Sequence, residues 1–311
     1  MRKKIMTVLI ILLIYCMFPT VCTLVFTGTV DENVSDELIN GRRVVVKYKY
    51  SSKTIDINKF IAMILAYRFE GSNEVEVLKA QSIMIRTDIY RIMGDSMSID
   101  SDELGMNYLT ESQMKNKWGD NYTKNYNLIT DSVASTGSTV ICYNDKLIEA
   151  RYTDVSNGKT LSGEKLLGEE YKYLAEADCS KDIECQNYLA VQTFSNKDFV
   201  KKLTSHFADI GLSAENPFSE IQIISKDENG YVLKMQVGNV IMTGSTFAAI
   251  LEINSPCMTL EQQTDGIKIT TKGKGDGFGL SVYTADIMAK DGSSYEEILN
   301  YFYKDIVIKS V

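Results

Sequence analysis

From Ile5 to Phe26 the chain carries no charged side chain, and Arg2, Lys3 and Lys4 stand immediately before that run. At 1.5 Å rise per residue, a helix of this length covers about 33 Å, against a bilayer hydrocarbon core of about 30 Å. Residues 5–26 are therefore read as a transmembrane helix. The basic tip holds the N-terminus in the cytoplasm and sends everything after the span outward. A cleaved signal peptide is the alternative, since Pro19 could close a shorter apolar region. No small-x-small site follows it cleanly, and Val21 precedes Cys22 where a lipoprotein signal would place a small residue.

What lies beyond the span is long enough for one large domain or two ordinary ones. With 44% apolar residues overall it can bury a sizeable core. Beyond residue 27 there are 30 basic side chains against all 41 acidic ones. An acidic domain of this kind does not present the basic face that nucleic-acid binding needs. The single histidine, His206, leaves no imidazole cluster for a metal, so neither metal nor cofactor is expected. Cys142, Cys179, Cys185 and Cys257 fall on the outer side, where a disulfide persists. One bridge is expected, Cys179–Cys257 ahead of Cys179–Cys185, because the long-range pair ties a late segment to the middle of the chain.

Helix and strand signals alternate along the outer chain. Residues 42–50 alternate and are β-branched, as in a strand. Asp56 can cap a helix carrying Phe60, Ile64 and Leu65, and a second helix covers residues 76–93. On the wheel of that second helix Leu78, Gln81, Ile85 and Ile92 share one side, with Lys79, Arg86 and Tyr90 opposite. Thr110-x-x-Gln113 opens a helix expected to reach about Ser135, with Trp118 in the core. Strands are expected over 139–143 and 147–153, joined by a turn at Asn144-Asp145-Lys146. A helix passing His206 and several short strands follow. Near the end, GKGDGFG at residues 273–279 sets four glycines at alternate positions before a helix over 280–290. Ser293-x-x-Glu296 is expected to start the last helix. The fold class is α+β.

Three segments together resemble the SpoIID/LytB family: EVLKAQSIMIRT at residues 76–87, STVICYNDKLIEA at 138–150 followed by SNGKT at 156–160, and KGKGDGFGLSVY at 272–283. The best-known members of that family are membrane-anchored lytic transglycosylases, which cut peptidoglycan glycan strands stripped of their stem peptides. The resemblance implies a membrane tip and anchor over 1–27, a juxtamembrane segment with the first strand over 28–55, and a SpoIID-like extracytoplasmic domain over 56–311. Residues 186–265 form a candidate β-rich sub-domain within it.

The same resemblance, followed position by position, departs from the family where the chemistry would lie. The family's catalytic glutamate precedes its E-A-L-K-A-Q glutamate by eight residues, which lands on Arg68. The family's G-H-G histidine falls at Asp276, and a following glutamine falls at Val282. Arginine stays cationic at any working pH and cannot donate the proton that glycosidic cleavage requires. Glu70, about 200° around a continuing helix, and Asp276 are the substitute carboxylates, and Asp276 is a candidate partner for Arg68. Family analogy places Lys79, Gln81, Arg86, Thr87, Gly275, Asp276, Gly277 and Ser281 as glycan-binding candidates. For Gln81, Thr87 and the glycine loop the plainer reading is packing and local hydrogen bonding, and Lys79 and Arg86 stand open between the two. The sequence thus points to a noncatalytic wall protein linked to sporulation or wall remodelling, binding peptidoglycan glycan strands or a membrane or cell-wall partner protein. An active lytic transglycosylase is the alternative. The topology has a direct test. A reporter active only outside the cytoplasm, fused after Val311, is expected to be active while the protein stays with salt-washed membranes. Release of a shortened soluble protein would instead mark a cleaved signal.

Overall fold

The structure, a computed structural model, describes residues 41–48, 51–70 and 74–311. The expected span over residues 5–26 lies outside the described residues. Among the described residues no helix is long and apolar enough to cross a membrane. The described chain is α+β, with fourteen strands and ten α-helices in the order given below.

The first strand, β1 (Arg43–Tyr48), pairs antiparallel with β2 (Ser51–Asp56) and parallel with β3 (Ser98–Asp100). Asp56 closes β2 and caps α1 (Ile57–Arg68), its carboxylate accepting from Asn58 N at 2.7 Å. Helix α2 (Val75–Met93) follows, then the one-turn α3 (Ser101–Leu104). Thr110 and Gln113 form the reciprocal capping box expected of them. The single long helix expected after them is divided into α4 (Glu111–Trp118) and α5 (Tyr122–Ser135). Gly119 at φ +51° ends α4, and Trp118 is half-buried rather than central.

Strand β4 (Thr139–Tyr143) pairs with β5 (Lys146–Leu147) across Asn144 and Asp145, both at positive φ as a tight hairpin turn requires. The strand expected over 147–153 is broken. After β5 the chain leaves that sheet, and β6 (Tyr152–Thr153) pairs parallel with β13 (Leu280–Ser281). The turn-length α6 (Gly163–Leu166) then leads into β7 (Leu189–Ser195) and α7 (Asn196–Thr204). Helix α7 stops before the exposed His206. Strands β8 (Ile221–Lys226), β9 (Val232–Val237) and β10 (Val240–Met242) form one sheet, followed by α8 (Gly244–Leu251). Strands β11 (Met258–Gln263) and β12 (Gly266–Lys272) complete a second sheet with β7. The β-rich unit therefore closes on β12, seven residues beyond the boundary at 265. Beyond β13, helix α9 (Val282–Lys290) is capped by Ser281. Ser294, with Glu297, caps α10 (Tyr295–Phe302), one residue later than expected, and β14 (Val307–Ser310) returns to β4.

Three apolar cores result, and α2 separates the first two. Leu78, Ile85, Ile89 and Met93 face the core built with β1, α1 and α5. Val77, Ala80, Ile83 and Met84 face the core built with β4, α9 and α10. Phe199, Phe247, Met235 and Ile267 anchor the third, inside the β-rich unit. Because α2 is covered on both sides, its one-sided reading fails at two positions. Ile92 is partly exposed and Arg86 is fully buried.

Arg86 ties these parts together. Its guanidinium donates to Asn58 Oδ1 at 3.0 Å, Thr136 Oγ1 at 3.0 Å, Thr139 O at 3.1 Å and Val133 O at 3.4 Å. These acceptors belong to the start of α1, the end of α5 and the start of β4. Burial lowers its pKa to about 10, so it remains charged at neutral pH. Arg86→Met removes the donors and leaves several buried acceptors unpaired. It is expected to cost about 3 kcal/mol of unfolding free energy, read as a lower urea midpoint with an unchanged m-value.

Candidate functional site

The site begins where α1 ends. Phe69 is buried as the C-terminal cap and meets Trp118 edge-on, with ring centroids 5.9 Å apart. The last carbonyls of α1 would be unsatisfied, but Lys117 Nζ donates to Ala66 O at 3.2 Å, Tyr67 O at 3.2 Å and Phe69 O at 2.8 Å. Arg68 is thereby not needed as a cap, and its guanidinium carbon lies 4.0 Å from the centroid of the Tyr152 ring. Glu70 is exposed and lies past the end of the helix, so the 200° argument does not apply to it. Its charge acts on Lys274 of the glycine loop.

The opposite wall is that loop. Gly275 at φ +119° and Gly277 at φ +88° adopt backbone that a larger residue resists. A Cβ on Gly277 would stand 2.7 Å from the Tyr231 ring. Backbone bonds seat the loop against the chain after β5: Val155 N donates to Lys274 O at 3.0 Å and Leu161 N to Gly277 O at 2.8 Å. Behind it, buried Asp182 accepts from Ser156 N at 2.6 Å, Ser281 Oγ at 2.7 Å and Thr284 Oγ1 at 2.6 Å.

Between these walls is a cleft of about 450 Å³ lined by Arg68, Asp88, Arg91, Glu149, Arg151, Tyr152 and Asp276, among others. A second pocket of about 270 Å³ continues on the far side of Arg151 and Asp276, toward Tyr231 and Phe278. Arg151 and Asp276 line both, so they form the ridge between two halves of one groove. Arg151 pairs with Glu149 at 2.8 Å and with Asp276 at 3.4 Å, and its guanidinium lies 5.5 Å from the Phe278 ring centroid. Asp276 also accepts from Phe278 N at 3.0 Å. The expected Arg68–Asp276 pair is thus replaced by Arg151–Asp276. The Asp276 carboxyl is held above the usual aspartate value. Its side chain is one-third open to the cleft, yet the walls exclude enough water that burial raises the pKa, outweighing the Phe278 hydrogen bond and Arg151.

The other sequence candidates divide by position. Gly275, Asp276 and Gly277 lie in the loop that walls the groove. Buried Arg86 is the strap between α1, α5 and β4. Buried Thr87 donates to Ile83 O at 2.7 Å and accepts from Ile141 N at 2.9 Å. Gln81 is buried, and buried Ser281 serves Asp182 and the α9 cap. Lys79 pairs with Glu76 at 2.7 Å and faces Tyr295 of α10, away from the cleft lining. These five do not line the groove. The expected bridges Cys179–Cys257 and Cys179–Cys185 are not formed. Cys142, Cys179, Cys185 and Cys257 are free thiols, and the Cys257 thiol donates to Asn229 O at 3.7 Å. Among the described residues no cluster of three or more potential metal ligands occurs. Glu149, Arg151 and Tyr152 were not anticipated from the sequence. The available signal was two charges, Glu149 and Arg151, at strand spacing inside an apolar run.

An α+β domain whose glycine loop closes a charged groove over the end of a helix is the class of protein defined here. Residues 48–143 match the family model SpoIID, described as stage II sporulation protein. The chain is 27% identical over 262 residues to stage II sporulation protein D of Bacillus subtilis (strain 168), covering 82% of this chain and 74% of that protein. It is 29% identical over 267 residues to stage II sporulation protein D of Bacillus amyloliquefaciens, covering 83% and 76%. Over these residues the chain is similar to the SpoIID family.

A carboxyl whose pKa is raised on folding favours the folded state at low pH, and that contribution is lost as pH rises through the folded value. Urea unfolding of wild type and Asp276→Asn across pH should show a constant difference below about 3.8, the ordinary aspartate value. Above it the difference should tilt in favour of the variant. A tilt toward wild type would show that Arg151 outweighs burial.

Proposed function

We propose that this chain is a sporulation-linked cell-wall protein, anchored in the membrane through residues 5–26, whose groove holds peptidoglycan glycan strands without cutting them. The observation that carries the reading is the cation at Arg68. At the position where the family resemblance puts the proton-donating glutamate, a guanidinium rests on Tyr152. A placed general acid contributes roughly 10²–10⁴ in rate, and an arginine supplies none of it. The groove's charged ridge and aromatic floor suit a polar sugar chain with apolar ring faces.

One observation favours the alternative, an active lytic transglycosylase. Asp276 is a cleft carboxyl with a raised pKa, which is what a proton donor needs. Two measurements on the purified protein separate the readings. Pull-down on peptidoglycan sacculi stripped of stem peptides should retain the protein, and anhydro-sugar release from those strands should stay at background. Robust release that Asp276→Asn abolishes and Arg68→Ala does not would establish the enzyme. Loss of sacculus binding would remove the glycan reading altogether.

A further inference from the structure

The edge of a β-sheet presents unpaired N–H and C=O groups that recruit a further strand, and chains ordinarily blunt such edges with charge, irregular register or shortness. In this fold nearly every edge is blunted. Strand β2 carries Lys53, β11 carries Glu261 and β14 carries Lys309. Strand β8 carries Lys226 and two register shifts against β9. Strands β3, β5, β6, β10 and β13 are two or three residues long. Among the described residues β7 is the exception. It ends the sheet it forms with β11 and β12, and its seven residues, LAVQTFS, include no charge and no proline. Its register with β12 is unbroken.

The outward side of β7 follows from its ladder. Gly273 N donates to Tyr188 O at 2.7 Å, and Asn196 N donates to Asp265 O at 3.2 Å. Hydrogen-bonded pairs alternate in an antiparallel ladder, so Ala190, Gln192 and Phe194 turn their backbone groups toward β12. Leu189, Val191 and Thr193 turn theirs outward. Side chains alternate with the same period, so these three also share one face. That face is open, with Leu189 58% and Val191 59% exposed. Strand and face together are a template for strand addition.

We propose that β7 pairs antiparallel with β7 of a second copy of this chain, joining two three-stranded sheets into one of six strands. The charge pattern selects this occupant. Beyond residue 27 the chain carries 41 acidic against 30 basic side chains, so two copies repel on approach. At β7 they meet with no like charges opposed. A two-fold axis at Val191 sets Val191 against its own copy and Leu189 against Thr193, apolar and β-branched pairs of the kind that stabilise sheets. Each copy uses its one unblunted edge, so the assembly closes at two. Tyr188, bonded to the first glycine of the loop that walls the groove, immediately precedes β7, so the pairing holds two grooves in one relative orientation.

Sedimentation velocity of the full chain in detergent, over a dilution series, measures the dimer dissociation constant. Wild type should pass from monomer to dimer as concentration rises and go no further. Val191→Lys opposes like charges at the axis and should raise the dissociation constant about fivefold or more. Val191→Pro removes one outward N–H per copy, leaves the β12 ladder whole, and should raise it about tenfold. Val191→Thr keeps an uncharged β-branched side chain and should keep the dimer. Mixing Val191→Lys with Val191→Glu should restore association, which a folding defect could not do. A wild type that stays monomeric throughout, growth beyond the dimer, a dimer indifferent to Val191→Lys and Val191→Pro, or a Lys–Glu mixture that stays apart overturns the proposal.

Discussion

The buried guanidinium of Arg86 is the interaction on which the arrangement depends. It has no carboxylate partner. It is satisfied by a side-chain amide, a hydroxyl and two backbone carbonyls drawn from three elements. Its Nε is buried without a partner, which shows how little slack the site has. Two of the acceptors, Val133 O and Thr136, sit at the C-terminal end of α5, where aligned peptide dipoles favour a cation. Placing a charge in an apolar interior is costly unless its hydrogen bonds are met. The acceptors must therefore converge, and α1, α5 and β4 take up one relative placement around α2.

That placement sets the groove. With α1 fixed at its start by Asn58 and at its end by Lys117, Arg68 emerges over Tyr152. The facing wall is fixed by a different buried charge. Asp182 gathers Ser156, Ser281 and Thr284, so the loop that follows β6 and the start of α9 cannot move apart without exposing three donors. The glycine loop lies between these anchors, close enough to Tyr231 and Thr153 that side chains at Gly277 and Gly275 would collide with them. The two halves of the groove thus meet at Arg151 and Asp276 because two separate polar networks hold the walls.

The cleft's three guanidinium groups face three carboxylates: Arg91 pairs with Asp88, and Arg151 takes both Glu149 and Asp276. Arg68 places a cation at the end of α1, over the Tyr152 ring.

Local chemistry made much of the fold legible in the sequence. Asp56 and Thr110 precede apolar periodicity and cap their helices, because a short polar side chain meets orphan N–H groups wherever it lies. The Asn144-Asp145 turn and the alternate glycines followed from φ preferences that belong to single residues. The motif order also sufficed to indicate the family. What the sequence left open depended on neighbours distant in the chain. Helix periodicity puts Arg86 opposite Leu78, but only the packing of α5 and β4 decides that this face is interior. Glu149 and Arg151 read as ordinary strand charges until the break after β5 turns them into the cleft. Cysteine spacing did not fix whether thiols meet, and in the fold all four remain free. The sequence by itself determined caps and turns, since these rest on contacts within a few residues. Tertiary structure alone decided which charge is buried, which is paired and which is left facing the groove, since each depends on groups 28 to 125 positions away along the chain.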